Sequence, residues 1–173
     1  VRSMEARTVV TTCPSCFYFW KYSYPTALGE EPGVEVLHAS EFLAGLLEAG
    51  TLRLRAREEV VTYHDPCDLG RKGGVTEAPR RILRAIPGLR LVEMEENRAG
   101  SHCCGGGGNL ESFDPAMSLE VARNRIRQAA AIGASTLVSA CQQCERTLAN
   151  AARAERLRTR VRDITEVLLE ALE

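Results

Sequence analysis

Short β-branched runs alternate with longer amphipathic stretches along this chain of 173 residues, and that alternation restricts the fold more than any other feature. It is the pattern of βαβ units, which lay parallel strands in one sheet and helices on its faces. The strand candidates are Thr8–Thr12, Val34–Leu37, Glu59–Tyr63, Leu89–Met94, Thr136–Ala140 and Val161–Ile164. Helices are expected over Glu41–Glu48, with Ser40 as N-cap and Gly50 beyond it, and over Glu77–Ala85, which stops before Pro87. A third runs Pro115–Ile132, opened by Asp114 and Pro115 and closed by Gly133. Two more follow, Glu145–Arg153 and Thr165–Leu172. The expected fold is α/β, an open and mostly parallel sheet flanked by helices. No solenoid repeat or low-complexity tract interrupts it.

At 45% apolar residues the chain can bury a core without covalent staples, so its seven cysteines are not read as a disulfide scaffold. No apolar segment approaches the length that spans a bilayer, and no leader-like apolar run opens the sequence. The expectation is a reducing, cytoplasmic setting. A formal charge of −1, from 22 basic and 23 acidic residues, offers no electrostatic case for nucleic acid. The arginine-rich stretch Arg153 to Arg162 is interleaved with Glu155 and reads as a solvated helix and turn.

Five cysteines form an ordered array. Cys67 is followed, after 35 intervening residues, by the adjacent pair Cys103 and Cys104; a further 36 residues lead to Cys141-Gln142-Gln143-Cys144. Two neighbouring thiolates crowd a single tetrahedral ion but suit a polynuclear cluster, where each takes its own iron. Cys67, Cys141 and Cys13 each follow a strand candidate, and Cys103–Cys104 lies in the loop leaving a fourth. With parallel strands these loops open on one edge, the carboxyl edge, where open α/β sheets build their sites. Cys16 and Cys144 fall in the first turn of a helix, whose free N–H groups favour thiolate.

Around this array, Gly105 to Gly108 permit close backbone approach and could aim N–H groups at sulfur, with Gly105 and Gly106 the candidate cluster contacts. Asp65-Pro66 sets a turn before Cys67. His64 is open to three roles, a ligand, a proton donor or a hydrogen bond to sulfur, beside that of a structural histidine. His102 is equally open, and His38 reads as structural. Cys13-Pro14-Ser15-Cys16 repeats the C-x-x-C spacing, either as a dithiol of thioredoxin type or as half of a second cluster site. Phe17, Tyr18, Phe19, Trp20, Tyr22 and Tyr24 read as a helix packing its core face.

At these residues the sequence resembles the cysteine-rich CCG domain of iron–sulfur oxidoreductases, a family that includes the B and D subunits of heterodisulfide reductase and the iron–sulfur subunits of glycolate and lactate oxidoreductases. The family motif (a lone Cys, a long gap, Cys-Cys-Gly, a second gap, C-x-x-C) falls on Cys67, Cys103-Cys104-Gly105 and Cys141/Cys144, and the likeness runs from about residue 8 to 152. The resemblance implies an iron–sulfur electron-transfer module in a multi-subunit oxidoreductase. It further implies a 4Fe–4S cluster, of non-cubane form in heterodisulfide reductase, and partners that are flavoprotein or iron–sulfur subunits, with flavin on the partner alone. Family members usually carry two motifs; here Cys13 and Cys16 match only the tail of one. Residues 1–58 are therefore expected to be the end of a preceding unit or a linker, and 59–173 a complete CCG domain. Since the chain begins with Val1, it is expected to be a portion of a longer subunit, reaching a membrane only through partners. The competing readings are a cluster-free thiol–disulfide oxidoreductase using Cys13 and Cys16, and a structural zinc protein using Cys141 and Cys144.

Overall fold

The computed structural model describes residues 1–31 and 33–173. Its strands are β1 (Thr8–Thr11), β2 (Glu35–His38), β3 (Glu59–His64), β4 (Leu89–Leu91), β5 (Thr136–Ser139) and β6 (Arg160–Asp163). Its α-helices are α1 (Pro14–Tyr18), α2 (Tyr24–Leu28), α3 (Ala39–Glu48), α4 (Glu77–Ala85), α5 (Leu110–Phe113), α6 (Pro115–Ala131), α7 (Gln142–Ala154) and α8 (Ile164–Ala171). Every strand pairing is parallel. The strands do not join into one sheet, however: β4-β3-β5-β6 form a four-stranded sheet, and β1-β2 a separate pair.

Side-chain alternation along the central strands sets two cores. Val61 and Tyr63 of β3 and Val138 of β5 face α4 and α8, in a cluster that also takes Ile82, Leu83, Ile164 and Leu168. Leu137, on the other face of β5, packs with Ala122 and Ile126 of α6 and Leu148 of α7. The first core extends to Phe17 of α1, Val36 of β2 and Ala44 of α3, so residues before 58 share it with those after. Among the described residues, no helix is long and apolar enough to cross a membrane.

Several element ends differ from the sequence reading. The N-cap of α3 is His38, not Ser40: the His38 ring accepts from the Ser40 N–H, and Glu41 closes a capping box onto the His38 N–H. The last helix begins at Ile164, one residue early, on the same device built from Asp163 and Glu166. Strand β4 stops at Leu91, because the chain turns to bury Met94 against α6 and α7. The aromatic run 17–24 is not one core-facing helix. A π-helical turn, Phe19–Ser23, rotates the chain between α1 and α2, so Phe17 is buried while Phe19, Tyr22 and Tyr24 are exposed.

The β1-to-α3 segment repeats the β5-to-α8 segment in its strand pairing and its helix caps. Thr8 to Thr11 pair with Glu35 to His38 as Thr136 to Ser139 pair with Arg160 to Asp163. In each copy a cysteine caps the first helix with a second cysteine three residues on, and a capping box opens the last.

Candidate metal centre

In the order β4-β3-β5-β6 the connections leave β3 and β5 in opposite directions, so the two central strands flank a topological switch point. A crevice forms outside the carboxyl ends of strands at such a point. Cys67 leaves the end of β3 through Asp65-Pro66, and Cys141 leaves β5 directly. A cavity of about 60 Å³ lies there, lined by Cys67, Cys104, Cys141 and Cys144 together with Pro14, Pro66 and Gln143. Cys103 opens onto a neighbouring cleft of about 690 Å³ with His102, Arg71 and Asn124. Its sulfur still belongs to the cysteine network: Cys103 and Cys144, with the His64 ring close by, hold the Cys104 thiol far down, and the Cys103 and Cys144 thiols are pushed up. Cys141 is drawn down by Cys144, and burial raises Cys67. A ring nitrogen of His64 and the sulfurs of Cys104 and Cys144 all lie within 4.8 Å of one another.

The glycines act through packing as well as through their N–H groups. Gly105 N–H donates to Cys103 Sγ at 3.3 Å and Gly106 N–H to Cys104 Sγ at 3.4 Å. A Cβ on Gly105 would sit 2.3 Å from the Ser118 carbonyl oxygen, and one on Gly106 2.2 Å from Thr147 Oγ1. The loop can thus lie flat on α6 and α7 only without side chains at these two positions. A Cβ on Gly107 or Gly108 would meet nothing within 4 Å, and no close approach explains these two glycines.

Three side chains outside the sequence reading hold the ligand loops. Arg80 is fully buried and donates two bonds to the Asp65 carboxylate, at 2.7 and 2.9 Å, and two to Glu93. Asp65 also accepts from the Arg98 N–H at 2.7 Å, which ties the Cys67 turn to the chain entering Cys103. Arg71 donates to the carbonyls of Ala99 and Ser101, and Arg125 to Glu96 O and Ser101 Oγ. Arg80 and Arg125 were legible in one respect: each stands within the apolar stripe of its helix, beside Ile82 and Leu83 or between Ala122 and Ile126.

The remaining candidates are dispersed. Cys13 caps α1 and its sulfur accepts from the Cys16 N–H at 3.3 Å; neither cysteine lines the cavity, although Pro14 and Ser15 between them do. Ser15 Oγ donates to Asp68 at 2.6 Å, docking α1 against the Cys67 loop. His38 is buried as a cap, and His102 is exposed and meets Gln128.

Residues 61–149 match the CCG cysteine-rich domain, and the chain belongs to that family. It is 39% identical over 173 residues to the D-type polypeptide of the dihydromethanophenazine:CoB--CoM heterodisulfide reductase of Methanosarcina mazei, covering 99% of this chain and 42% of the relative. It is 36% identical over 171 residues to "Probable iron-sulfur-binding oxidoreductase FadF" of Bacillus subtilis, covering 97% of this chain and 24% of that one. The chain therefore spans well under half the length of these relatives. The crystal structure of a hypothetical protein from Helicobacter pylori, 14% identical, matches 87% of this chain and 29% of its own with a TM-score of 0.60, a likeness of fold.

Proposed function

We propose that this chain is an iron–sulfur electron-transfer module of a multi-subunit oxidoreductase. The observation that carries the proposal is the convergence of Cys67, Cys104, Cys141 and Cys144 on one cavity at the carboxyl edge of the sheet, with Cys103 next to Cys104 and acting on its thiol. Five soft donors, two of them adjacent, suit several irons better than one ion. The N–H groups of Gly105 and Gly106 on sulfur, and the buried Nε2 of His64 with no hydrogen-bond partner among the described residues, suit an electron-rich centre. Bound there, such a cluster, of 4Fe–4S type, would accept and release single electrons. The protein's own part is to hold the thiolates, to set charge around them and to keep one rim open. Cys103 is exposed and Cys67 and Cys141 are partly so, which leaves a partner's redox centre room to approach.

The names of the relatives support partners that are oxidoreductase subunits; any flavin would sit on such a partner, and a cytoplasmic setting is part of the proposal. Residues 1–58 are proposed to be the tail of a preceding CCG unit, supported by the repeat of β1-to-α3 in β5-to-α8. Cys13 and Cys16 would then be half of a second site. A second reading, a zinc site, is favoured only by the triad His64, Cys104 and Cys144.

Anaerobic reconstitution with iron and sulfide tests the proposal. Brown protein with broad absorption and about four irons per chain supports it. Replacing any two of the five array cysteines with serine should then abolish iron uptake. Colourless protein holding one zinc, or full iron retention in those double variants, would overturn it.

A further inference from the structure

Among the described residues two arginines are sealed, and they are treated differently. Arg80 has Asp65 and Glu93 as counter-ions. Arg125 is equally buried, yet the partners of its guanidinium are neutral: His64 Nδ1 at 3.1 Å, Glu96 O at 2.9 Å, Gln128 Oε1 at 2.7 Å and Ser101 Oγ at 3.1 Å. Asp65 and Glu96 act on it only at longer range, and Asp65 is already held by Arg80. Burial lowers the Arg125 pKa to about 10, so it remains a cation at neutral pH. A sealed cation without a carboxylate is costly unless another anion lies close.

The bond to His64 settles the state of that ring. A guanidinium has only donors, so Nδ1 of His64 must be the acceptor. The neutral ring then carries its proton on Nε2, and an imidazolium, with a proton on both nitrogens, cannot form without losing Arg125. Nε2 is buried and has no hydrogen-bond partner among the described residues. The ring nitrogen facing the sulfurs of Cys104 and Cys144 belongs to this same residue. A nitrogen that bears a proton in this way can donate to sulfur but cannot ligate a metal. Strand geometry produces the arrangement: Val61 and Tyr63 fill the other core, so His64, on the opposite face of β3, meets the stripe of α6 that carries Arg125.

We propose that Arg125 is a positioning residue that locks His64 as the Nε2–H tautomer, so that the pair directs one N–H and one buried positive charge at the sulfurs of Cys104 and Cys144. The proposal rests on the cluster reading for its effect but not for its geometry. Hydrogen bonds to sulfur and nearby positive charge stabilise the reduced form of a cluster and raise its potential.

The test has two arms on the full chain. In the first, long-range ¹H–¹⁵N NMR of the reduced, metal-free protein at pH 7 reads the His64 ring. Nε2–H with Nδ1 as acceptor supports the proposal, and Nδ1–H or an imidazolium overturns it. In the second, wild type, His64→Phe, His64→Gln, Arg125→Gln and Arg125→Lys are reconstituted with iron and sulfide and their potentials measured. The expected result is unchanged iron content throughout, a more negative potential in His64→Phe and Arg125→Gln, and partial recovery in His64→Gln and Arg125→Lys. Loss of iron from His64→Gln, or equal potentials in all five proteins, would overturn it. If wild type itself takes up no iron, the cluster reading falls, and the first arm alone decides whether Arg125 fixes the His64 tautomer.

Discussion

Arg80 can stay in the core because Asp65 meets its guanidinium end-on, across both terminal nitrogens, and Asp65 can stay because Arg80 and the Arg98 N–H share its oxygens. Breaking such a pair from one side strands a buried charge. Arg80→Met or Asp65→Asn should each cost about 3–5 kcal/mol, read from the urea midpoint. The double variant should cost less than the two together; simple additivity would mean the ion pair is not the source. His38 gives a second residue-level prediction. Burial holds its pKa at about 4, against 6.5 in the unfolded chain. Between those values the unfolded state carries the extra proton, so stability is full above pH 6.5 and falls as the pH drops toward 4, by up to about 3 kcal/mol. His38→Asn keeps a capping acceptor and removes the titration. Its stability should be flatter over pH 4–6.5, and an unchanged slope would assign that slope elsewhere.

At the scale of elements, the Cys103–Gly108 loop is shaped by what it touches. Gly105 has a φ of +82° as well as the contact with Ser118, and Gly106 abuts Thr147. Gly106→Ala must displace a side chain of α7 and should lower stability by about 1–3 kcal/mol. Gly107→Ala meets open space and should leave the thermal midpoint within error of wild type. Equal effects of the two would mean the loop is not seated as described. Much at this scale was legible in sequence. The strand positions follow from β-branched runs, and α6 from Asp114, Pro115 and its apolar stripe. Other element ends were not: His38 is a rare cap that works because Thr12 O holds Nε2 and so leaves Nδ1 to accept. The internal repeat was also hidden, since register and caps recur while most side chains between them differ.

At the scale of the molecule, both cores and the arginine straps on residues 96–101 are made by protein groups alone. Metal removal should therefore leave the far-UV circular dichroism essentially unchanged, unlike a small zinc finger that unfolds without its ion. A collapse to the spectrum of a coil would refute this. Because Phe17, Val36 and Ala44 complete the first core, a chain of residues 59–173 alone should melt markedly earlier than the whole chain. The cysteine spacing and the strand–loop–helix order by themselves determined the fold class and pointed to the sheet edge where Cys67, Cys104, Cys141 and Cys144 line one cavity. Those features depend on local periodicity and on the rule that parallel strands end on one side. Only the tertiary structure decided that β1 and β2 stand apart, that Asp65 and three arginines hold the ligand loops, and that His64 lies near the sulfurs of Cys104 and Cys144 while its Nδ1 accepts from Arg125. Each of these depends on which side chains two distant elements bring into contact, and a linear pattern of apolar and polar residues does not record such meetings.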